Sequence, residues 1–193
     1  MSVYISKNLN QNFKNYNIKK IESGASSKKF FRLWNAYNSY IVTDFSENRE
    51  EYNNHIKIYN ILKEIEISVP KIIEKYDEDL IIVSKDFGKL RFDRILNDYS
   101  IKDLLSYAVD ALIVINNSIK YNHKFKLPQY NFQIFKSEIM ELPEFYFPYI
   151  NIKNKDFVQE FIMLWSEGFN NFKFEFESFI HKDFNINNLI LLP

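Results

Sequence analysis

The hydrophobic period of this chain changes twice before its midpoint, and that order of periods limits the fold more than any other feature. Up to Asp44 the pattern is that of strands. Asn17–Glu22 is short and alternating, Lys28–Trp34 is basic and aromatic, and Ser39–Asp44 is a compact β-branched run. From Glu47 to Ile65 the period becomes helical, with Tyr52, Ile56, Tyr59 and Leu62 recurring between polar residues and Ser46 placed as an N-cap. Pro70 ends a linker. Ile72–Tyr76 and Leu80–Ser84 then read as a hairpin around Asp77-Glu78-Asp79. Five strands with one helix inserted before the fourth, followed by helices, predict an α+β fold with a boundary near Ser84–Gly88.

The second half is helical in pattern. Asp93–Asn97 fits one turn. Ile101–Tyr121 is a long helix with Leu104, Leu105, Ala108, Ala111, Leu112 and Ile115 on its apolar side. A third helix is expected near Phe132–Met140, and Pro143 and Pro148 bracket an aromatic segment. Phe157–Phe176 reads as a fourth, very aromatic helix. The last residues form a polar loop carrying His, Asp and Asn, then a strand Leu189–Leu192. With 19 Phe and 13 Tyr in 193 residues, much of the core must be aromatic.

Composition removes several classes of function. Lys plus Arg and Asp plus Glu both number 25, so nothing points to nucleic acid or an anionic membrane as partner. There is no cysteine, hence no disulfide, thiolate nucleophile or Cys-based zinc site. No run reaches the roughly 18 apolar residues of a spanning helix, and the N-terminus lacks the apolar core of a signal peptide. A cytoplasmic protein is expected. His55 and His123 have no metal-ligand spacing.

Chemistry concentrates in His181-Lys182-Asp183-Phe184-Asn185-Ile186-Asn187-Asn188, which has the form H-x-D-x-x-x-x-N. Phosphoryl transfer needs these residue types at this spacing. A carboxylate must accept or orient the proton of an attacking hydroxyl, and an amide oxygen five residues on must reach a Mg²⁺ that bridges phosphates. His181 can stiffen such a loop by packing and hydrogen bonding. The plainer reading is a chance H-x-D near an Asn in an Asn-rich chain; the apolar flanks and the following Leu189–Leu192 argue against it.

The flanks carry a resemblance. HKDFNINNLILLP resembles the H-R-D-F/Y-H-x-x-N-L-x-x-L-P segment of bacterial phosphotransferases related to aminoglycoside kinases, nearest the N-acetylmuramate/N-acetylglucosamine anomeric sugar kinases. Three more segments fit in order. Ser23–Leu33 looks like the G-D-A-S-x-R-R-Y-F-R nucleotide loop. SVPKII and LIIVSKDFG look like the V-P-x-V/I-L strand and the hinge strand ending in D-L-G. FKSEIMELPEFYFPYI looks like the acceptor-side segment. The resemblance spans about residues 17–193.

It implies a protein-kinase-like two-lobe fold: a nucleotide-binding N-lobe over residues 1–88, with a five-stranded antiparallel sheet and one helix, and a mostly helical, partial C-lobe over residues 89–193. It implies ATP and Mg²⁺ as cofactors and a small-molecule acceptor such as an amino sugar. Asp183 would be catalytic and Asn188 a metal ligand. Ser23, Gly24, Ser26, Lys28, Arg32, Val83 and Lys85 would meet the nucleotide, the last two through main chain between Val83 and Asp86. Glu138 and Glu144 would meet the acceptor. Other readings stand beside these. Lys28, Lys29 and Arg32 also read as solvated strand residues, with Lys28 and Arg32 on one face and Lys29 on the other. Glu50 and Glu51 read as carboxylates favoured at a helix N-terminus. Glu138, Glu141 and Glu144 read as surface charges.

Three departures from the family pattern matter. The metal-binding Asp expected soon after the loop, in an I-D-F/W-Q/G-D context, does not occur before Pro193. Asp86-Phe87-Gly88 lies before the loop, in the wrong order to replace it, and reads as the end of the hinge strand. Thr43 stands where a kinase carries its third-strand lysine. Ser23-Gly24 replaces Gly-Asp. The fold is therefore expected to be incomplete at its C-terminus and the chain as it stands inactive. The alternative is an inactive kinase-like fragment, a pseudokinase binding module.

Overall fold

The computed structural model describes residues 5, 7–22, 28–45, 48–120, 125, 127–172 and 179–192. The chain divides into two compact units, one made of Met1–Ser118 with Ile180–Pro193, the other of Ile119–Phe179.

The first unit is organised by an antiparallel five-stranded sheet with strand order β1-β2-β3-β5-β4. The strands are β1 (Asn17–Ile21), β2 (Lys29–Trp34), β3 (Ser39–Asp44), β4 (Ile72–Tyr76) and β5 (Ile81–Lys85). The α+β class and all five strands match the sequence reading. Cross-strand register sorts the side chains onto two faces. Phe31, Val42 and Val83 align on one and join Leu33, Ile81 and Leu9 in a core. Phe30, Thr43 and Ile82 align on the other, where Ile82 packs with Phe45, Tyr52 and Leu80.

Each face has a helical cover. Leu9, almost fully buried, comes from α1 (Lys7–Asn12), a helix the sequence reading did not anticipate because its six residues carry no repeating apolar pattern. The opposite face takes Tyr52 from α2 (Arg49–Glu64). The expected cap Ser46 lies outside the described residues. Asn48 caps the helix instead, its side chain accepting from the Glu51 amide at 2.9 Å, so α2 starts two residues later than its spacing suggested.

Past the sheet, the expected turn at Asp93–Asn97 is a 3₁₀ turn at Phe92–Arg94, and α3 spans Ile101–Lys120. Phe92, Ile95, Leu104 and Ala108 form a third core, against which Phe184, Leu189 and Leu191 pack. Leu189–Leu192 is not the strand expected. It forms a single antiparallel bridge, Arg91 with Ile190, flanked by Phe92 N–H to Leu189 O at 3.0 Å and Leu191 N–H to Leu90 O at 2.8 Å. Pairing stops there because residues 92–94 coil into the 3₁₀ turn and no longer present an extended partner.

In the second unit, α4 (Phe132–Glu141) runs into a π-helical turn, Leu142–Tyr146, and a short α5, Phe147–Tyr149. The prolines thus mark a local change of helical winding. α6 spans Lys155–Asn171; residues 173–176 of the expected fourth helix lie outside the described residues. Ring packing holds the unit together: Phe135 meets Trp165 and Phe169 at 5.8 and 4.8 Å, and Phe147 meets Phe157 and Phe161 at 5.6 and 5.3 Å. No helix among the described residues is long and apolar enough to cross a membrane.

Candidate active site

The loop at 181–188 folds around its carboxylate. Asn185 Nδ2 donates to Asp183 Oδ1 at 2.6 Å, and Asn188 Nδ2 donates to Oδ2 at 2.7 Å and to the Asp183 carbonyl at 3.0 Å. A carboxylate only accepts, so each amide must turn its nitrogen towards it. The conformation follows from short-range bonding. Asn185 also caps a 3₁₀ turn, Ile186–Asn188, through Oδ1 accepting from the Asn187 amide at 2.9 Å, and its own carbonyl accepts from the Asn188 amide at 2.9 Å. The turn swings Asn188 back over Asp183.

The loop is fastened from below. Phe184 inserts into the Phe92–Leu104 core, and the His181 ring meets Phe184 edge-on at 5.4 Å. Lys182 sits at φ 67°, a left-handed conformation that costs a non-glycine residue on the order of 1 kcal/mol and is tolerated where surrounding contacts fix the backbone. Asp183, Asn185 and Asn188 remain exposed. Each carboxylate oxygen has about two lone-pair sites, of which one amide takes one. The carboxylate can therefore be held in place and still accept from a hydroxyl. Because the Asn188 nitrogen faces Asp183, its Oδ1 points the other way, an oxygen donor of the kind Mg²⁺ accepts.

On the sheet, the basic residues singled out in the sequence have different surroundings. Arg32 is held by Asp86: Nε lies 2.7 Å from Oδ2, and Nη2 donates to Oδ1 at 3.3 Å. Ser39 Oγ donates to Asp86 Oδ2 at 2.7 Å, and the Gly88 amide to Oδ1 at 2.9 Å. Asp86, with a nearly buried side chain, thus clamps the segment leaving β5, and Gly88 supplies the φ of 92° that the turn requires. Lys28 lies 2.8 Å from Glu51 of α2, with its ammonium 5.7 Å from the Phe45 ring centre.

The remaining expected residues fall elsewhere. Val83 is fully buried in the α1-side core. The Lys85 amide donates to Lys71 O at 2.9 Å and the Asp86 amide to Ser39 O at 3.3 Å. Ser23, Gly24 and Ser26 lie outside the described residues. Glu138 and Glu144 are exposed in the second unit. Glu138 accepts from Tyr130 at 2.5 Å, and the Tyr130 hydroxyl is pushed up to about 12 by burial first and by that carboxylate second. Sequence reasoning missed Asn185, which stands where the family pattern has His. It also missed the pairing of Arg32 with Asp86.

A loop carboxylate positioned by two amides, in the same compact unit as an antiparallel sheet with one inserted helix, is an arrangement suited to phosphoryl transfer. The chain is 25% identical over 124 residues to the N-acetylmuramate/N-acetylglucosamine kinase of Pseudomonas aeruginosa, a match covering 64% of this chain and 36% of that protein. This is the same group of sugar kinases that the motifs resemble. Among solved structures the chain is similar to spectinomycin phosphotransferase, determined in complex with ADP and spectinomycin, with a TM-score of 0.49 and 14% identity over 85% of this chain and 53% of that one. The chain therefore spans about half the length of the solved relative, and its match a little over a third of the curated one. No protein-family model matches it.

Proposed function

We propose that this protein is an ATP-dependent phosphotransferase that adds phosphate to a hydroxyl of a small molecule, an amino sugar or cell-wall sugar. The observation that carries the reading is the double amide clamp on Asp183. It fixes the one carboxylate of the loop and leaves it exposed to a substrate hydroxyl.

In this reading Asp183 takes or orients the proton of the acceptor hydroxyl, and Asn185 and Asn188 hold its carboxylate in line. Asn188 Oδ1 would hold Mg²⁺, which when bound neutralises phosphate charge. The adenine would meet main chain where β5 ends. The Lys85 and Asp86 amides are already engaged there, so the contact falls on carbonyls or on the segment just after them. Ser23, Gly24, Ser26 and Lys28 would border the phosphates. Arg32 is assigned a different part: it holds Asp86, and through it the shape of the segment after β5. Glu138 and Glu144 would contact the acceptor. The residues 1–88 and 89–193 would divide the work between nucleotide and acceptor.

A second reading is a non-catalytic, kinase-like nucleotide-binding module. Thr43 favours it, since it is nearly buried and carries no charge where a strand lysine would stand. Transfer of label from γ-labelled ATP to N-acetylglucosamine, N-acetylmuramate or spectinomycin separates the two. The full-length gene product should label an amino sugar in a Mg²⁺-dependent reaction. Nucleotide binding without transfer to any acceptor favours the second reading, and no binding of nucleotide rejects both.

A further inference from the structure

The geometry points to Lys28 as a relocated phosphate-binding lysine, with Glu51 as its positioning residue, together doing from β2 and α2 what a third-strand lysine and its helix glutamate do in other kinases. This rests on the nucleotide reading above and deepens it.

A kinase needs a cation aimed at the nucleotide phosphates and a carboxylate from the helix behind the sheet to hold that cation in place. Thr43 cannot supply the charge. Its neighbours on the sheet show which residue can. β2 and β3 are in register with Lys29 opposite Asp44 and Phe30 opposite Thr43. Alternation places Lys28, Phe30 and Arg32 on the face that carries Thr43 and α2, and Lys29 on the face covered by α1. Of the two β2 cations on the Thr43 face, Lys28 and Arg32, Arg32 is bound to Asp86 at the far end of the strand.

Lys28 stands at the other end, two residues from the cross-strand partner of Thr43, on the order of 7 Å along the strand. It lies within Ser23–Leu33, the segment that resembles a nucleotide loop. Its ammonium is 2.8 Å from Glu51, and both side chains keep about a quarter to a third of their surface open, so the pair is held yet accessible to an anion. The Phe45 ring offers its face to the ammonium, and burial first and the Lys28 charge second lower the pKa of the nearby His55.

The test compares ATP with adenosine, because a phosphate contact affects only the first. Affinities are measured by calorimetry on the full-length protein. Lys28→Met should weaken ATP roughly ten- to a hundredfold, the range for a hydrogen bond to a charged group, and leave adenosine unchanged. Glu51→Gln should weaken ATP by less, and adding it to Lys28→Met should cost nothing further, since it acts through the lysine. Placing the charge back on the third strand, Thr43→Lys in the Lys28→Met background, should recover ATP affinity. Equal ATP affinity in wild type and Lys28→Met, or equal loss for ATP and adenosine, overturns the inference and leaves nucleotide binding standing. Wild-type protein that binds neither ligand overturns the nucleotide reading itself, and this inference with it.

Discussion

The sheet of the first unit and the helices of the second solve the same problem differently. Val42, Ile82 and Val83 have no exposed surface, because α1 closes one face of the sheet and α2 the other. In the second unit Ile139 and Phe147 are the buried large apolar residues among those described, whereas Leu164, Trp165, Phe145 and Tyr149 are exposed. Its helices touch through aromatic rings, and some of these, such as Trp165 against Phe135, stay partly exposed. Stability per residue should therefore be concentrated in the sheet, since burial of apolar surface, rather than possession of it, provides the driving force.

The largest expected difference lies in truncation of matched aliphatic residues. Ile82→Ala should cost about 2–5 kcal/mol, the range for a buried Ile, and Leu164→Ala should stay within about 0.5 kcal/mol. The chain has two tryptophans, Trp34 in β2 and Trp165 in α6, so single-tryptophan variants report each region separately in urea. Similar losses at both sites would erase the contrast. A smaller effect is expected at the caps. Asn48→Ala and Asn131→Ala each remove a side-chain acceptor from a helix amide, worth about 1 kcal/mol apiece. The first should move only the Trp34 transition and the second only that of Trp165. Crossed effects would show that the two regions unfold together.

The subtlest expectation concerns acid. The folded-state pKa of His55 is lowered below its ordinary 6.5 by burial first. Between that lowered value and 6.5 the unfolded chain binds more protons than the folded one, so stability falls as pH drops from 6.5 through this window. His55→Gln should flatten the slope of unfolding free energy against pH there. An unchanged slope would mean that other groups carry the acid limb.

These contrasts bear on what could be read before the fold was known. Short-range features were legible. The strands alternate, α2 and α3 repeat their apolar residues at helical spacing, and Asp183 and Asn188 are set by a five-residue interval that a tight loop can close. Asn185 was legible only as a neighbour, since its part depends on a 3₁₀ turn that makes one amide serve both as cap and as carboxylate donor. Arg32 and Asp86 are 54 positions apart and Lys28 and Glu51 are on different elements, so only the register of β2 and the placement of α2 bring them together. Leu189–Leu192 has the composition of a strand, but its neighbour coils after one bridge, and pairing is a property of both partners.

The part of Asp183 is decided by single-turnover phosphate transfer by full-length wild-type and Asp183→Asn proteins, to an acceptor that the wild type phosphorylates. The substitution keeps the shape of the side chain and removes the proton acceptor. The rate of transfer should fall about a hundredfold or more, with nucleotide affinity little changed. Transfer at near wild-type rate by Asp183→Asn would contradict it and would remove the loop from the chemistry.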